Sequence, residues 1–504
     1  MYSPAATRIV TDARGRTKHE IALALVLRSL MAYLLLHLYV RSFTDGLDAD
    51  YGTSLSAALS AVLVVVSGIG AMLIGELSPV ARRMLALFAP FLVLSVVSTL
   101  HAPSIDSSTA ITTLSRYIYL GALIVLLDLV CSSRAFLPLL GKLYPLILLT
   151  YSCIALVQYA TGSALYLEPT DVLPRVRGLA SHPVNFSIEL AIVAVVADMC
   201  RRKMSRRLSA FALGLYALSA AALGVAASRT GILIIAITVA LYVLANRPRT
   251  FLPVIGISVI VILVTPLSLL FHDLQTLPAY IAGQQYLAWD YRLIDSSLHW
   301  RVYHWYYLID NLRPSLLLGI GAGQEIILSP FRRQAHSMFV EILVESGILG
   351  LFAFLGFWLS MAVLPFRRRL AQLAGGDRTF HALRSLWLAL FASVSLAALL
   401  SVSLNYDVVA LSHLLVGYFV LVRPTHQVSG ALWPQSADPR SGSAQAIATK
   451  ESRPHLKTAP MDKIYPAVVS SEVTCNSNHT NARDSHEQGV APFSTPPTDS
   501  SYFA

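Results

Sequence analysis

The chain has 504 residues and a formal net charge of +10, with 55% hydrophobic and 13% charged residues. Soluble domains carry roughly 25% charged residues, so this composition excludes an ordinary soluble fold. The positive charge does not indicate nucleic-acid binding, because lysine and arginine gather in alternate connections between apolar runs. The four cysteines show no spacing typical of a disulfide framework or a zinc site.

Apolar runs long enough to cross a bilayer recur along the first 422 positions. They predict an all-α polytopic membrane protein with about twelve transmembrane helices. The predicted spans are 21–40, 55–75, 84–100, 114–131, 139–160, 184–199, 208–226, 230–245, 251–271, 337–364, 385–404 and 408–422.

The connections predict the topology and the domain organisation. Clustered basic residues alternate with connections that hold no lysine, so the positive-inside rule predicts that both termini are cytoplasmic. Residues 1–20 form the cytoplasmic N-terminus, and 21–422 form the transmembrane domain with a long extracytoplasmic loop, 272–336. The polar composition of residues 423–504 predicts a disordered cytoplasmic tail.

The most informative run begins at His336, where a titratable imidazole opens an apolar segment of membrane-spanning length. Glu341 and Glu345 follow on the same predicted helix, one turn apart. Ionisable groups are costly in lipid, so they usually face a bundle interior or a wet cavity. The run therefore predicts an active site at the membrane surface.

On the face predicted to be outside, the connections contain arginine but no lysine. Its planar fork binds two phosphate oxygens at once, so a diphosphate at this face would explain the pattern. Ordinary loop charge, or pairing with loop aspartates, is the alternative for most of these arginines. That alternative fits Arg229 less well, because apolar spans flank it closely and an unpaired charge there is costly.

Two further segments suggest shaped turns. Gly178 and Pro183 predict a turn that brings three polar side chains to the mouth of the sixth span: Arg177, His182 and Asn185. The glycine-rich residues 319–323 look like a nucleotide loop, but they lack the strand and helix that such a loop requires. We interpret them as a tight turn that lets the backbone approach a ligand or a helix.

Four stretches occur in an order that resembles the O-antigen ligase and O-antigen polymerase superfamily of bacterial envelope glycosyltransferases. They are His336-Ser337 followed after nine residues by Gly347-Ile-Leu-Gly350, the Arg229…Leu233 element, RVRGLASHPVNFS, and HWRVYHW with GIGAG. The resemblance covers roughly residues 170–360. Ser337 stands where asparagine is commoner in the family.

The resemblance implies a donor, acceptors and a location. The donor would be an undecaprenyl-diphosphate-linked glycan, and the acceptor a glycan or lipid A-core. No cofactor, metal ion or nucleic acid is implied, whereas membrane lipid and other polysaccharide-assembly membrane proteins are expected as partners. The enzyme would lie in the bacterial inner membrane with its active site on the extracytoplasmic face.

With this donor in place, we hypothesise roles for individual residues. His336 would act as a general base toward the acceptor hydroxyl or would hold the leaving phosphate, and Glu341 or Glu345 would orient it. Arg229 would stabilise the leaving diphosphate. The remaining donor-binding candidates are Arg177, Arg301, His182 and Asn185.

Other functions stay open at this stage. Ligase and polymerase share the donor chemistry and differ in the acceptor, so the sequence does not separate them. Twelve spans with both termini inside is also the plan of many secondary transporters. A non-catalytic envelope scaffold is a third alternative, but it leaves the outer arginines and His336 without a purpose.

Overall fold

Helices account for nearly all of the chain that the structure describes. The computed structural model describes residues 18–51, 55–102, 106–131, 133, 135–163, 165–166, 175–180, 182–204, 209–226, 228–246, 297–329, 334–366, 378–400 and 408–422. These residues all fall within one unit, residues 1–435. The predicted tail, 423–504, and the predicted ninth span, 251–271, lie outside the described residues.

The described helices follow one another with few other elements between them. The first eight are α1 (Lys18–Tyr51), α2 (Leu55–Ile74), α3 (Pro79–His101), α4 (Ser107–Cys131), α5 (Phe136–Thr161), α6 (Pro183–Met204), α7 (Ala210–Ala226) and α8 (Arg229–Asn246). The later ones are α9 (Ser297–Asn311), α10 (Glu325–Leu328), α11 (Met338–Val363), α12 (Arg378–Leu400) and α13 (Val408–Val422). Single 3-10 turns occupy Arg313–Ser315 and Leu364–Phe366.

One short pair of strands interrupts the helices. Strands β1 (Leu165–Tyr166) and β2 (Arg175–Val176) pair antiparallel between α5 and α6. Leu165 lies opposite Val176, and Tyr166 lies opposite Arg175. Strand β2 contacts α5 and α7, so this pairing holds the chain against the bundle just before α6 begins.

Eight of the described helices are long and apolar enough to cross a membrane, and α7, α8 and α13 are shorter apolar helices. Together they account for each predicted span except the ninth, which lies outside the described residues. The prediction of an all-α polytopic membrane protein is therefore confirmed. Long apolar side chains such as Met72 stay exposed on the outer helices, as lipid-facing positions should.

Interior packing is dense where α3 and α11 meet. The rings of Phe88 and Phe357 have centroids 4.9 Å apart, and those of Phe91 and Phe354 are 5.1 Å apart. Tilted and edge-on aromatic pairs of this kind are favourable beyond the area that they bury. This contact fixes α11, and therefore the residues at its start, against α3.

The helix ends show which connections share one end of the bundle. Asp128, near the end of α4, accepts hydrogen bonds from the Ser78 amide (2.6 Å) and the Ser78 hydroxyl (2.5 Å) at the start of α3. Asp128 is buried, and these bonds satisfy both of its carboxyl oxygens. The amino ends of α4, α6, α8 and α11 lie at the opposite end, which we call the mouth end.

Candidate active site

His336 occupies a strained backbone position at the start of α11. It is the one non-glycine residue with positive φ (51°) in the described part of the chain. The next residue, Ser337, is extended and caps α11 by accepting the Val340 amide. A left-handed conformation at a residue other than glycine costs on the order of 1–3 kcal/mol and persists only where the surroundings enforce it.

Helix α9 holds the residues that lead into His336. The Trp305 indole Nε1 donates to the Ala335 carbonyl oxygen at 2.5 Å, and Ala335 is buried against Leu308 and Val344. Arg301 lies one turn before Trp305 on the same helix and is half-buried. Burial lowers the pKa of His304 on this helix to about 4, so its imidazole is neutral at physiological pH.

The glycine segment (residues 319–323) packs against a break in α11. Gly347 has φ 69° and ψ −173°, which interrupts the helix. The Ile320 amide donates to the Val344 carbonyl (2.9 Å), and the Ile348 amide donates to the Leu316 carbonyl (2.9 Å). Side chains at Gly319 or Gly347 would overlap the facing backbone, which explains why both positions are glycine. The segment therefore approaches a helix, which is one of the two interpretations that the sequence left open.

Glu345 joins three elements through its carboxylate. Its Oε1 accepts the Gly323 amide at 2.6 Å, and its Oε2 accepts the Tyr117 hydroxyl of α4 at 2.6 Å. The side chain is fully buried. Two donors from different elements therefore hold this carboxylate in place.

Two more carboxyl groups complete a buried set that we call the carboxylate cluster: Glu325, Glu341 and Glu345. One oxygen of each lies within 4.8 Å of the others, a spacing that could also hold a metal ion. Burial and the repulsion of the other two raise the pKa of Glu325 well above its usual value. Neither Glu325 oxygen has a donor in good hydrogen-bonding geometry among the described residues, although the nearby Ala335 amide lowers the pKa slightly.

Together these parts form the α11 mouth: residues 334–345, helix α9 and residues 316–325. Three predicted site residues belong to it: Arg301, His336 and Glu341. Sequence reasoning missed two buried groups: Glu325 of this mouth, and Tyr117 of α4, which donates to Glu345. Glu325 directly follows the glycine segment, a signal that could have found it, whereas Tyr117 stands in an apolar span without any local motif.

A second group surrounds the start of α6. The His182 Nδ1 accepts the Val184 amide at 3.1 Å, so this histidine caps α6, and proline follows at the first helical position. Gly178 has φ 59° and lies against the Phe186 ring, while its carbonyl accepts the Gln158 side chain at 2.7 Å. The predicted shaped turn is therefore present.

The start of α8 lies against the start of α6. A side chain at Gly231 would meet the backbone oxygen and the hydroxyl of Ser187, so the two helices approach closely at this point. Arg229 opens α8 two residues earlier, and its side chain lies outside the described part of the structure. We call this group the α6 mouth: residues 175–187 and the first turn of α8.

Four predicted site residues belong to the α6 mouth: Arg177, His182, Asn185 and Arg229. Arg177 and Asn185 are half-buried. The two mouths lie at the same end of the bundle, each built on its own pair of helices. The alternative of aspartate pairing is right for one loop arginine, because Arg313 forms an exposed ion pair with Asp310 at 2.6 Å.

Comparison with known proteins finds one similarity, in the central part of the chain. Residues 214–355 match the family model described as O-antigen ligase. The match runs from α7 into α11, so it includes Arg229, Arg301, His336 and the glycine segment but begins after the turn that carries His182. No curated protein matches the chain.

Proposed function

We propose that this chain is an O-antigen ligase-type membrane enzyme that transfers oligosaccharide from undecaprenyl diphosphate to a hydroxyl of a glycan or of lipid A-core. The family match over residues 214–355 confirms the resemblance to the O-antigen ligase superfamily and supports glycan transfer in general. The observation that carries the finer proposal is His336, half-buried and held with positive φ at the mouth of α11. Strain of this kind clusters at active sites.

In the proposed reaction the acceptor hydroxyl oxygen attacks the anomeric carbon of the donor sugar. The bond between that carbon and the diphosphate oxygen breaks, and its electron pair leaves with undecaprenyl diphosphate. The hydroxyl proton passes to the imidazole of His336, which acts as general base. The released diphosphate carries the negative charge, and this charge must be stabilised as it develops.

The α6 mouth is suited to that charge. Helices α6 and α8 both begin there, and the amino end of a helix carries partial positive charge with unpaired amide groups. Arg177 adds a full positive charge on the turn before α6, and Arg229 adds another at the start of α8. We assign these arginines, with Arg301 of the α11 mouth, to the diphosphate, and His182 and Asn185 to the donor side.

The proposed location combines the basic clusters with the family resemblance. The clusters predict that both termini are cytoplasmic, so the mouth end would face the extracytoplasmic side. The resemblance implies the bacterial inner membrane, where flipped lipid-linked glycans would be available on that side. Both glycan and lipid A-core remain as acceptors. The family match favours transfer over secondary transport, which is the alternative plan for twelve spans.

The test is genetic. We would delete the gene, restore it as wild type or as His336→Ala, and size the surface glycans by gel electrophoresis. Single repeat units in the deletion strain would indicate a polymerase, whereas long chains retained on carrier lipid would indicate a ligase. In either case His336→Ala should fail to restore the pattern, because a lost general base costs roughly 10²–10⁴-fold in rate.

The control is His101→Ala, which removes an exposed imidazole from the end of α3, at the same end of the bundle. It should restore the wild-type pattern. An unchanged glycan profile in the deletion strain would contradict glycan transfer and would favour transport instead.

A further inference from the structure

Glu345 ties the start of α11 to two other elements through both its side chain and its backbone. The carboxylate accepts the Gly323 amide and the Tyr117 hydroxyl, each at 2.6 Å. The Glu345 carbonyl oxygen accepts the Ser98 hydroxyl at 2.5 Å and the Gly321 amide at 3.0 Å. One buried residue therefore links α3, α4, α11 and the glycine segment.

The glycine segment depends on these bonds for its position. Its amides donate to α3 as well, because Gly321 reaches the Ser98 hydroxyl (3.0 Å) and Ala322 reaches the Thr99 hydroxyl (3.0 Å). Three of its glycines have positive φ, so the turn has little preference for one shape by itself. Buried amide groups without an acceptor are costly, so loss of the Glu345 carboxylate would shift the segment.

The same link reaches the histidine. Gly347 interrupts α11 just after Glu345. The first turns of α11 are therefore not held in place by an unbroken helix that continues beyond them. They are held instead by the glycine segment on one side and by the Trp305–Ala335 bond on the other. His336 lies between these two attachments in the chain, and a strained backbone of this kind persists only where its surroundings enforce it.

We infer that Glu345 is a positioning residue: through Gly323 and Tyr117 it fixes the first turns of α11, and thereby sets the direction of the His336 imidazole. The inference rests on the proposed function, since it concerns the histidine that acts as base. Misplacement by about 1 Å of a catalytic group can cost roughly 10²-fold in rate. The effect should therefore fall on kcat and leave donor binding nearly unchanged.

The chain offers a matched control pair. Tyr151 of α5 donates to Glu189 of α6 at 2.6 Å, and both side chains are buried. This is the same kind of tyrosine–glutamate bond at the same distance as Tyr117–Glu345, but it joins α5 to α6. Glu189→Ala therefore removes a similar buried bond from a different pair of helices.

The experiment uses the full chain, purified into lipid nanodiscs. Hydrogen exchange of the peptide that covers the glycine segment would be measured beside steady-state transfer from a lipid-linked glycan donor. Glu345→Ala should speed exchange of the Gly323 amide at least tenfold and lower kcat about 100-fold, with the donor KM changed less than about threefold. Glu345→Gln, which keeps an oxygen acceptor at the same reach, should recover part of both losses.

Several outcomes would overturn the inference. Unchanged exchange in Glu345→Ala would show that the carboxylate does not hold the glycine segment. Faster exchange with kcat no lower than in Glu189→Ala would show that the link is structural only. If Glu345→Ala does not fold, Tyr117→Phe gives the decisive measurement, with an expected kcat loss of about tenfold against Tyr151→Phe.

The proposed function can fail separately. If the wild-type protein shows no transfer from the donor while exchange still responds to Glu345→Ala, then glycan transfer is wrong and positioning for it falls too. If the wild type transfers and Glu345→Ala loses only exchange protection, then glycan transfer stands and the positioning role alone is wrong.

Discussion

The two mouths are built in different ways. In the α11 mouth, buried side chains bridge separate elements, as when Glu345 joins α4 to the glycine segment. In the α6 mouth, local backbone devices set the shape: a capping histidine, a glycine with positive φ, and a close helix crossing at Gly231. The first design fixes a group in one position, whereas the second leaves half-buried polar side chains accessible to a ligand.

This difference fits the separate roles that we propose for the two mouths. A general base must be held within about half an ångström of its productive position, which requires a supporting set of buried bonds. A diphosphate is large and doubly charged, so several arginines and helix ends can bind it with more tolerance. The comparison therefore predicts that substitutions of the arginines in the α6 mouth act through the charges they remove, and substitutions of the residues that support His336 act through geometry.

Among the variants that test this comparison, Arg229→Ala should lower kcat the most. Arg229→Ala removes the arginine that opens α8, where the proposed reaction develops charge on the diphosphate. Loss of one such electrostatic donor typically costs about 10²–10³-fold in kcat. Arg229→Lys keeps the charge but loses the bidentate fork, so it should recover only part of the rate.

Transfer kinetics with the purified protein would measure both Arg229 variants. The control is Arg313→Ala, because Arg313 forms an exposed ion pair with Asp310 and should contribute little. Equal rates for Arg229→Ala and Arg313→Ala would remove the diphosphate role from the α6 mouth.

The sequence predicted the helices well because each span carries its own signal. Apolar length and the positions of basic residues are local properties, so the described spans overlap the predicted ones. Their ends differ most at the start of α4, which begins at Ser107 and was predicted at 114. The α6 turn was predictable for the same reason, since Gly178, His182 and Pro183 lie close together in the sequence.

The α11 mouth was predictable only in part. His336 and Glu341 stand at the head of an apolar helix and are conspicuous there. Tyr117 lies 228 positions from Glu345, and nothing near it marks the contact. The carboxylate cluster depends on how the glycine segment folds back onto α11, and such long-range packing has no periodic pattern in the sequence. The α6 mouth can thus be predicted from residues close together in the sequence, whereas the α11 mouth depends on contacts between distant residues.

A smaller effect, on stability, should come from the break in α11. Gly347→Ala would place a methyl group against the Leu317 carbonyl at φ 69°, so we expect a loss of about 2–3 kcal/mol in unfolding free energy. Gly356→Ala, in the same helix with open space around it, should be neutral or slightly stabilising. Thermal unfolding in detergent would compare the two, and equal melting temperatures would contradict the geometry assigned to the break.

The smallest effect separates capping from ligand binding at His182. As a cap it accepts the Val184 amide, so His182→Ala should cost about 1 kcal/mol of stability, whereas His182→Asn supplies another good capping side chain and should restore most of it. If His182 also binds the donor, both variants should raise the donor KM alike, since asparagine does not reproduce an imidazole in shape or reach. Thermal unfolding and the donor KM, measured on both variants, distinguish these roles. Full recovery of KM by His182→Asn would make His182 a structural cap and leave donor binding in the α6 mouth to Arg177, Asn185 and Arg229.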